Sequence, residues 1–70
     1  MNAKCIFVGD VYEPTGDSWW TVQVDAPAAD GYVKAWAIGG APATLEVAGI
    51  KQLQSKSFRL VKRGDGERIL

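Results

Sequence analysis

An all-β fold, a small antiparallel open barrel of about five strands, is what this sequence predicts. The first observation is the stretch Gly16 to Val24, which places Trp19 and Trp20 side by side on a strand entered through a turn. The second is a run of three strand-like segments within the first thirty-eight residues, joined by short turns as in a meander. The third is a late apolar–basic segment, Ser57 to Arg63, of strand composition. With 70 residues the chain makes one domain, 1–70, without repeats or low-complexity tracts.

The elements follow in order. Lys4 to Glu13 opens with the apolar run Cys5 to Val8, continues through Val11-Tyr12, and suits a buried strand interrupted at Gly9 by a bulge or bend. Glu13-Pro14-Thr15-Gly16-Asp17 is dense in turn formers, so a hairpin follows. In the second strand, Trp19 to Asp25, side chains alternate: Trp20, Val22 and Val24 point one way, Trp19, Thr21 and Gln23 the other. Ala26 to Gly31, with Pro27 and the Asp30-Gly31 turn dipeptide, forms a loop. Tyr32 to Ile38 is the third strand, and Gly39-Gly40-Ala41-Pro42 ends it.

Ala43 to Gln54 supports two readings. Val47, Ile50 and Leu53 recur at helical spacing, whereas Leu45 and Val47 alternate with Thr44 and Glu46 as in a strand. A strand over Thr44–Ala48 followed by a turn is favoured. In the last strand, Ser57 to Arg63, Phe58 and Leu60 share a face opposite Arg59, and Glu67 to Leu70 is a tail that adds an edge strand or frays.

A chain this short buries only about 60% of its unfolded surface, so its stability calls for an aid. A lone cysteine and no histidine leave neither a disulfide nor a usual metal set, so no metal or cofactor is expected and oligomerisation is the remaining aid. Cys5 reads as a small buried hydrophobe in a reducing compartment. No segment reaches the ~18 apolar residues of a membrane span, and no leader pattern opens the chain. A cytoplasmic protein without membrane contact is expected.

Formal net charge is zero, which argues against a surface built throughout for phosphate backbones. The charge is nevertheless polarised along the chain. Residues 1–50 carry two basic against six acidic residues, −4, and residues 51–70 carry six against two, +4.

Gly16-Asp17-Ser18-Trp19-Trp20, then a strand, a loop and Gly31-Tyr32-Val33 with Ile38, resembles the Trp-Trp strand and Gly-Tyr-Val/Ile stretch of SH3 and bacterial SH3-like barrels. The resemblance covers residues 4–38. It implies a small barrel, SH3-like with an OB-like barrel as the other form, in which Trp19 lines a ligand groove and Trp20 supports the sheet. The family's Ala-Leu-Tyr-Asp-Tyr type segment is absent. Lys34 and Ala37 stand where the groove has a proline and a second tyrosine. What the resemblance carries is therefore architecture rather than proline-rich peptide binding.

Nothing in the sequence assembles a catalytic group. Without histidine, a Ser, Thr or Cys nucleophile would need a Lys or carboxylate base, and no such pairing occurs at a recognisable spacing. Asp10, Glu13 and Asp17 read as acidic turn residues in water. Neither Gly39-Gly40 nor Gly64-Asp65-Gly66 follows a strand and opens a helix as a phosphate loop would. A non-enzymatic protein is expected, with a site at a symmetric oligomer axis as the one reservation.

Binding remains. The first reading is a regulatory protein-interaction module whose aromatic patch is Trp19, Tyr32 and Trp36, residue types enriched in interface hot spots. Trp36 shares its strand face with Tyr32, Lys34 and Ile38, so part of this set is expected in the core. The alternative is a single-stranded nucleic-acid-binding barrel, with aromatics stacking bases and Lys51, Lys56, Arg59, Lys62 and Arg63 tracking phosphates. That basic run is equally consistent with a solvated strand face. The charge polarity also suggests a homo-oligomer in which the acidic hairpin of one copy meets the basic strand of the next. The partner's identity is open.

Overall fold

The computed structural model describes residues 5–16 and 19–70; Lys4, Asp17 and Ser18, named above, lie outside them. The elements are β1 (Val11–Pro14), β2 (Thr21–Pro27), β3 (Tyr32–Gly39), β4 (Ala41–Gly49), α1 (Ile50–Leu53) and β5 (Phe58–Lys62). They form one five-stranded antiparallel sheet in the order β4-β3-β2-β1-β5. The fold is all-β, a small open barrel whose sheet is not closed, with β4 and β5 as its edges. The meander runs from β1 to β4, and β5 returns to pair with β1 across Tyr12 and Leu60.

Alternation sorts the core as the sequence implies for β2. Val22 and Val24 are buried, Trp20 packs half-buried against them, and Trp19 is 68% exposed. Phe58 meets the Trp20 ring edge-on at 6.0 Å between centroids, joining β5 to the same core. Ile6, Tyr12, Val33, Ala35 and Leu53 complete the buried set. On β3 the outcome departs from expectation. Val33 and Ala35 supply the core, and Tyr32, Lys34, Trp36 and Ile38 are all exposed on the opposite face. Both faces of this strand are apolar, so the period of two separates them without saying which faces inward.

The region 43–54 contains both of its readings in succession. β4 runs to Gly49 and α1 begins at Ile50, with Leu53 buried beneath the sheet. The β3–β4 turn is tighter than expected, because Gly39 already pairs with Ala41 across Gly40. Gly40 has φ +65°, a left-handed conformation that side chains rarely adopt. Pro42 lies inside β4, which an edge strand tolerates. Pro27 likewise ends β2, paired with Val33, rather than lying in the loop, and a bulge at Asp25 shifts the register.

Cys5 to Val8 is not a regular strand. It is pinned to the C-terminal tail by the bridge Phe7–Arg68 and by Ile6 N–H to Leu70 O at 2.8 Å, with Ile69 N–H returning to Ile6 O at 2.7 Å. Val8 and Gly66 add reciprocal backbone bonds through Val8 N–H to Glu67 O and Gly66 N–H to Val8 O. The tail thus neither frays nor joins the edge of the sheet; it zips against the N-terminal segment. Cys5 is half-buried rather than core, since Ile6 is the side chain that points inward.

Candidate interaction surface

Asp10 and Glu13, near the first hairpin, are both engaged by partners within the chain. Asp10, read as an acidic turn residue in water, is fully buried. Its Oδ2 accepts from Phe7 N–H at 2.9 Å, the Tyr12 hydroxyl at 3.0 Å and Arg63 Nη1 at 3.1 Å, while Oδ1 accepts from Gly64 N–H at 2.7 Å. A buried carboxylate is tolerable when its lone pairs are filled in this way. Tyr12 is pushed above the ordinary tyrosine range, first by burial and then by the Asp10 carboxylate that its hydroxyl faces. Glu13 is held by the Arg59 guanidinium on the neighbouring strand.

These contacts redistribute the basic residues. Arg63 is bound to Asp10 and to Cys5 O and lies 4.9 Å over the Phe7 ring, and Arg59 is bound to Glu13. The acidic hairpin and the basic strand therefore complement each other within the chain at these two pairs. Lys51, Lys56 and Lys62 are exposed on α1, on the following turn and on β5. Lys51 lines a cleft of about 510 Å³ with Tyr32, Asp30 and Ile50.

The aromatic residues collect differently. Tyr32 and Trp36 lie four positions apart on the outer face of β3, about 13 Å along the strand. Opposite Trp36 stand Leu45 on β4 and Gln23 on β2; opposite Lys34 stands Val47, and Thr21 is opposite Ile38. Ile38, Leu45 and Val47 are all exposed, Val47 to 63%. Trp36 Nε1–H donates to Asp25 Oδ1 at 3.3 Å, which ties the indole to the bulge residue of β2. Trp19, its ring centroid 6.3 Å from that of Trp20, borders a hollow of about 190 Å³ that Ile38 and Pro42 also line. Trp19 and Trp36 are thus linked through Ile38, and Tyr32 ends the same strand face.

Leu45 and Val47 are functional candidates that sequence reasoning missed. Their alternation with Thr44 and Glu46 was visible, but nothing in the residues indicated that the core lay under the opposite face. Among the described residues, no group of three or more Cys, Asp or Glu side chains is arranged to hold a metal ion. Among the described residues, no helix is long and apolar enough to cross a membrane. Comparison with known protein families, curated proteins and solved structures finds no match.

Proposed function

We propose that this chain is a non-enzymatic binding protein that engages a protein partner through the outer face of β3 and β4. The observation that carries the reading is the row of exposed large apolar side chains, Tyr32, Trp36, Ile38, Leu45 and Val47, with Trp19 at its border. Scattered exposed hydrophobics are ordinary, but a contiguous aromatic-centred patch marks an interaction site. Trp36 is the natural anchor because its polar edge is already satisfied by Asp25, leaving apolar surface to desolvate. The SH3-like reading of the barrel and a cytoplasmic, regulatory role belong to the same proposal, supported by the Trp-Trp and Gly-Tyr-Val motifs and the single thiol.

The nucleic-acid reading is the runner-up, favoured by exposed Lys51 beside Tyr32. The engagement of Arg59 and Arg63 by carboxylates and the zero net charge weigh against it. Two measurements separate them. Affinity capture from the source cells with the wild type, Trp36→Ala and Trp19→Ala should recover a protein partner that Trp36→Ala loses, an effect of tenfold or more in affinity, roughly 1.4 kcal/mol. Unchanged capture by both variants defeats the proposal. A tryptophan fluorescence titration with single-stranded DNA and RNA at two salt concentrations should show no salt-sensitive quenching; clear quenching moves the assignment to nucleic acid.

A further inference from the structure

The core side of the sheet is left open where β3 meets β4. Directly opposed residues of antiparallel strands share a face, so the pairs Val22↔Ala37, Ala35↔Glu46 and Val33↔Ala48 put Glu46 on the same side as the core valines. Glu46 is nevertheless exposed, because its neighbours there are the small side chains of Ala35, Ala37 and Ala48. Trp20 is seated against Gly39, where a Cβ would lie 2.6 Å from its own. Alanines in front of a tryptophan leave a hollow of about 200 Å³ between the sheet, α1 and the start of β5.

Two aromatic rings wall this hollow. Trp20 and Phe58 are both half-buried and stand at 84° with centroids 6.0 Å apart, so their rings form a corner. Glu46 is the one charged residue lining it, and Gln52 of α1 adds an amide at the rim. The Thr44 hydroxyl donates to Glu46 Oε2 at 3.0 Å and holds the carboxylate in place. The ion pairs among the described residues are Arg59–Glu13 and Arg63–Asp10, so no basic side chain there neutralises Glu46.

We propose that this hollow binds a small methylated ammonium compound of the choline type, its head in the Trp20–Phe58 corner and its charge against Glu46. An aromatic corner beside one carboxylate selects a cation whose charge is wrapped in carbon. Ring faces attract the positive head, and methyl groups desolvate at little cost. A calcium ion would call for about six oxygens, and a primary ammonium is compact and strongly hydrated. A guanidinium fork would use both carboxylate oxygens, one of which Thr44 already occupies. The volume lies below the roughly 300–1,000 Å³ of pockets for drug-sized ligands, which suits one headgroup arriving as a free molecule. The site is on the opposite side of β3 and β4 from the proposed protein-binding face, so the two stand or fall separately.

Nuclear magnetic resonance titration with choline chloride, against ammonium chloride at equal ionic strength, reads binding at the Trp20 indole and the Glu46 amide. Choline should give saturable shifts with Kd on the order of 1 mM, and ammonium none. The neutral carbon analogue, 3,3-dimethyl-1-butanol, should bind about 5-fold more weakly or worse. Glu46→Gln keeps the shape of the rim and should weaken choline by a similar factor, about 5-fold. Ala37→Leu fills the hollow and should remove the saturable shift; if that variant does not fold, Glu46→Gln decides. Trp36→Ala, on the outer face, should leave Kd unchanged. No saturable shift at tens of millimolar choline, equal affinity for the neutral analogue, or full affinity in Glu46→Gln would each overturn the assignment. A trimethyl-lysine peptide bound about tenfold more tightly than choline would overturn the free ligand in favour of a modified protein.

Discussion

The two edges of this sheet are built in opposite ways. Beside β5, the segment Cys5 to Val8 is zipped to the C-terminal tail, Arg59 holds Glu13, and the buried Asp10 carboxylate gathers Phe7, Tyr12, Arg63 and Gly64 around it. Beside β4, no further strand pairs among the described residues, and the large apolar side chains of Leu45 and Val47 face solvent. A domain of this size has little core to spare, and its charge-assisted bonds gather at one edge while the proposed binding face lies at the other. Stability and binding should therefore respond to different substitutions.

The largest effect is expected at the closed edge. Asp10→Ala leaves Phe7, Tyr12 and Gly64 without their side-chain acceptor and Arg63 without its carboxylate, and should cost about 3–5 kcal/mol, much of the stability of a small domain. Urea unfolding followed by circular dichroism measures it, and a midpoint equal to that of the wild type would erase the contrast between the edges. Gly64→Ala comes next. A Cβ there would lie 2.2 Å from Val8 O and 2.4 Å from Asp10 N, both backbone atoms, so the two segments must part. A loss of about 3 kcal/mol is expected in the same experiment.

Tyr12→Phe is gentler and carries a pH signature. It should cost about 1–2 kcal/mol at neutral pH by removing one hydrogen bond to the buried carboxylate. The folded protein holds the Tyr12 proton more tightly than the unfolded chain, so this contribution is complete below about pH 10 and is lost above it. There the unfolded state releases the proton first, and stability should fall by about 1.4 kcal/mol per pH unit. In Tyr12→Phe that part of the alkaline decline should vanish; an unaltered decline would place its origin elsewhere. Smallest in stability is Trp36→Ala, expected to shift unfolding by under about 1 kcal/mol while weakening partner binding tenfold or more. A large stability loss there would mean that the outer face is structural after all.

Much of the fold could be read from the residues, because β2, β3 and β5 carry their alternation openly. Trp20 with Val22 and Val24, and Phe58 with Leu60, were placed on the correct faces by period alone. The exposure of Trp19, Tyr32 and Trp36 fits the candidate surface read from the residues, but Leu45 and Val47 were invisible as surface because β3 and β4 present apolar side chains on more than one face. Asp10 was misread for a different reason. Its environment is made by Arg63 and Gly64, separated from it in sequence by 53 and 54 positions, and a carboxylate after Gly9 looks like any solvated turn residue until the tail folds back. The same long-range pairing turned Cys5 to Val8 from an expected strand into a clasp for the C-terminus.

Residue-resolved amide hydrogen exchange, measured in dilute and in concentrated solution, tests the division between the edges most directly. The expected result is that Gly64 and Phe7, bound to the Asp10 carboxylate, exchange slowly at both concentrations. Leu45 and Val47 exchange rapidly at both, while Thr44 and Glu46, paired to β3, stay protected. Leu45 and Val47 amides as slow as that of Gly64, or a Gly64 amide as labile as theirs, would contradict it.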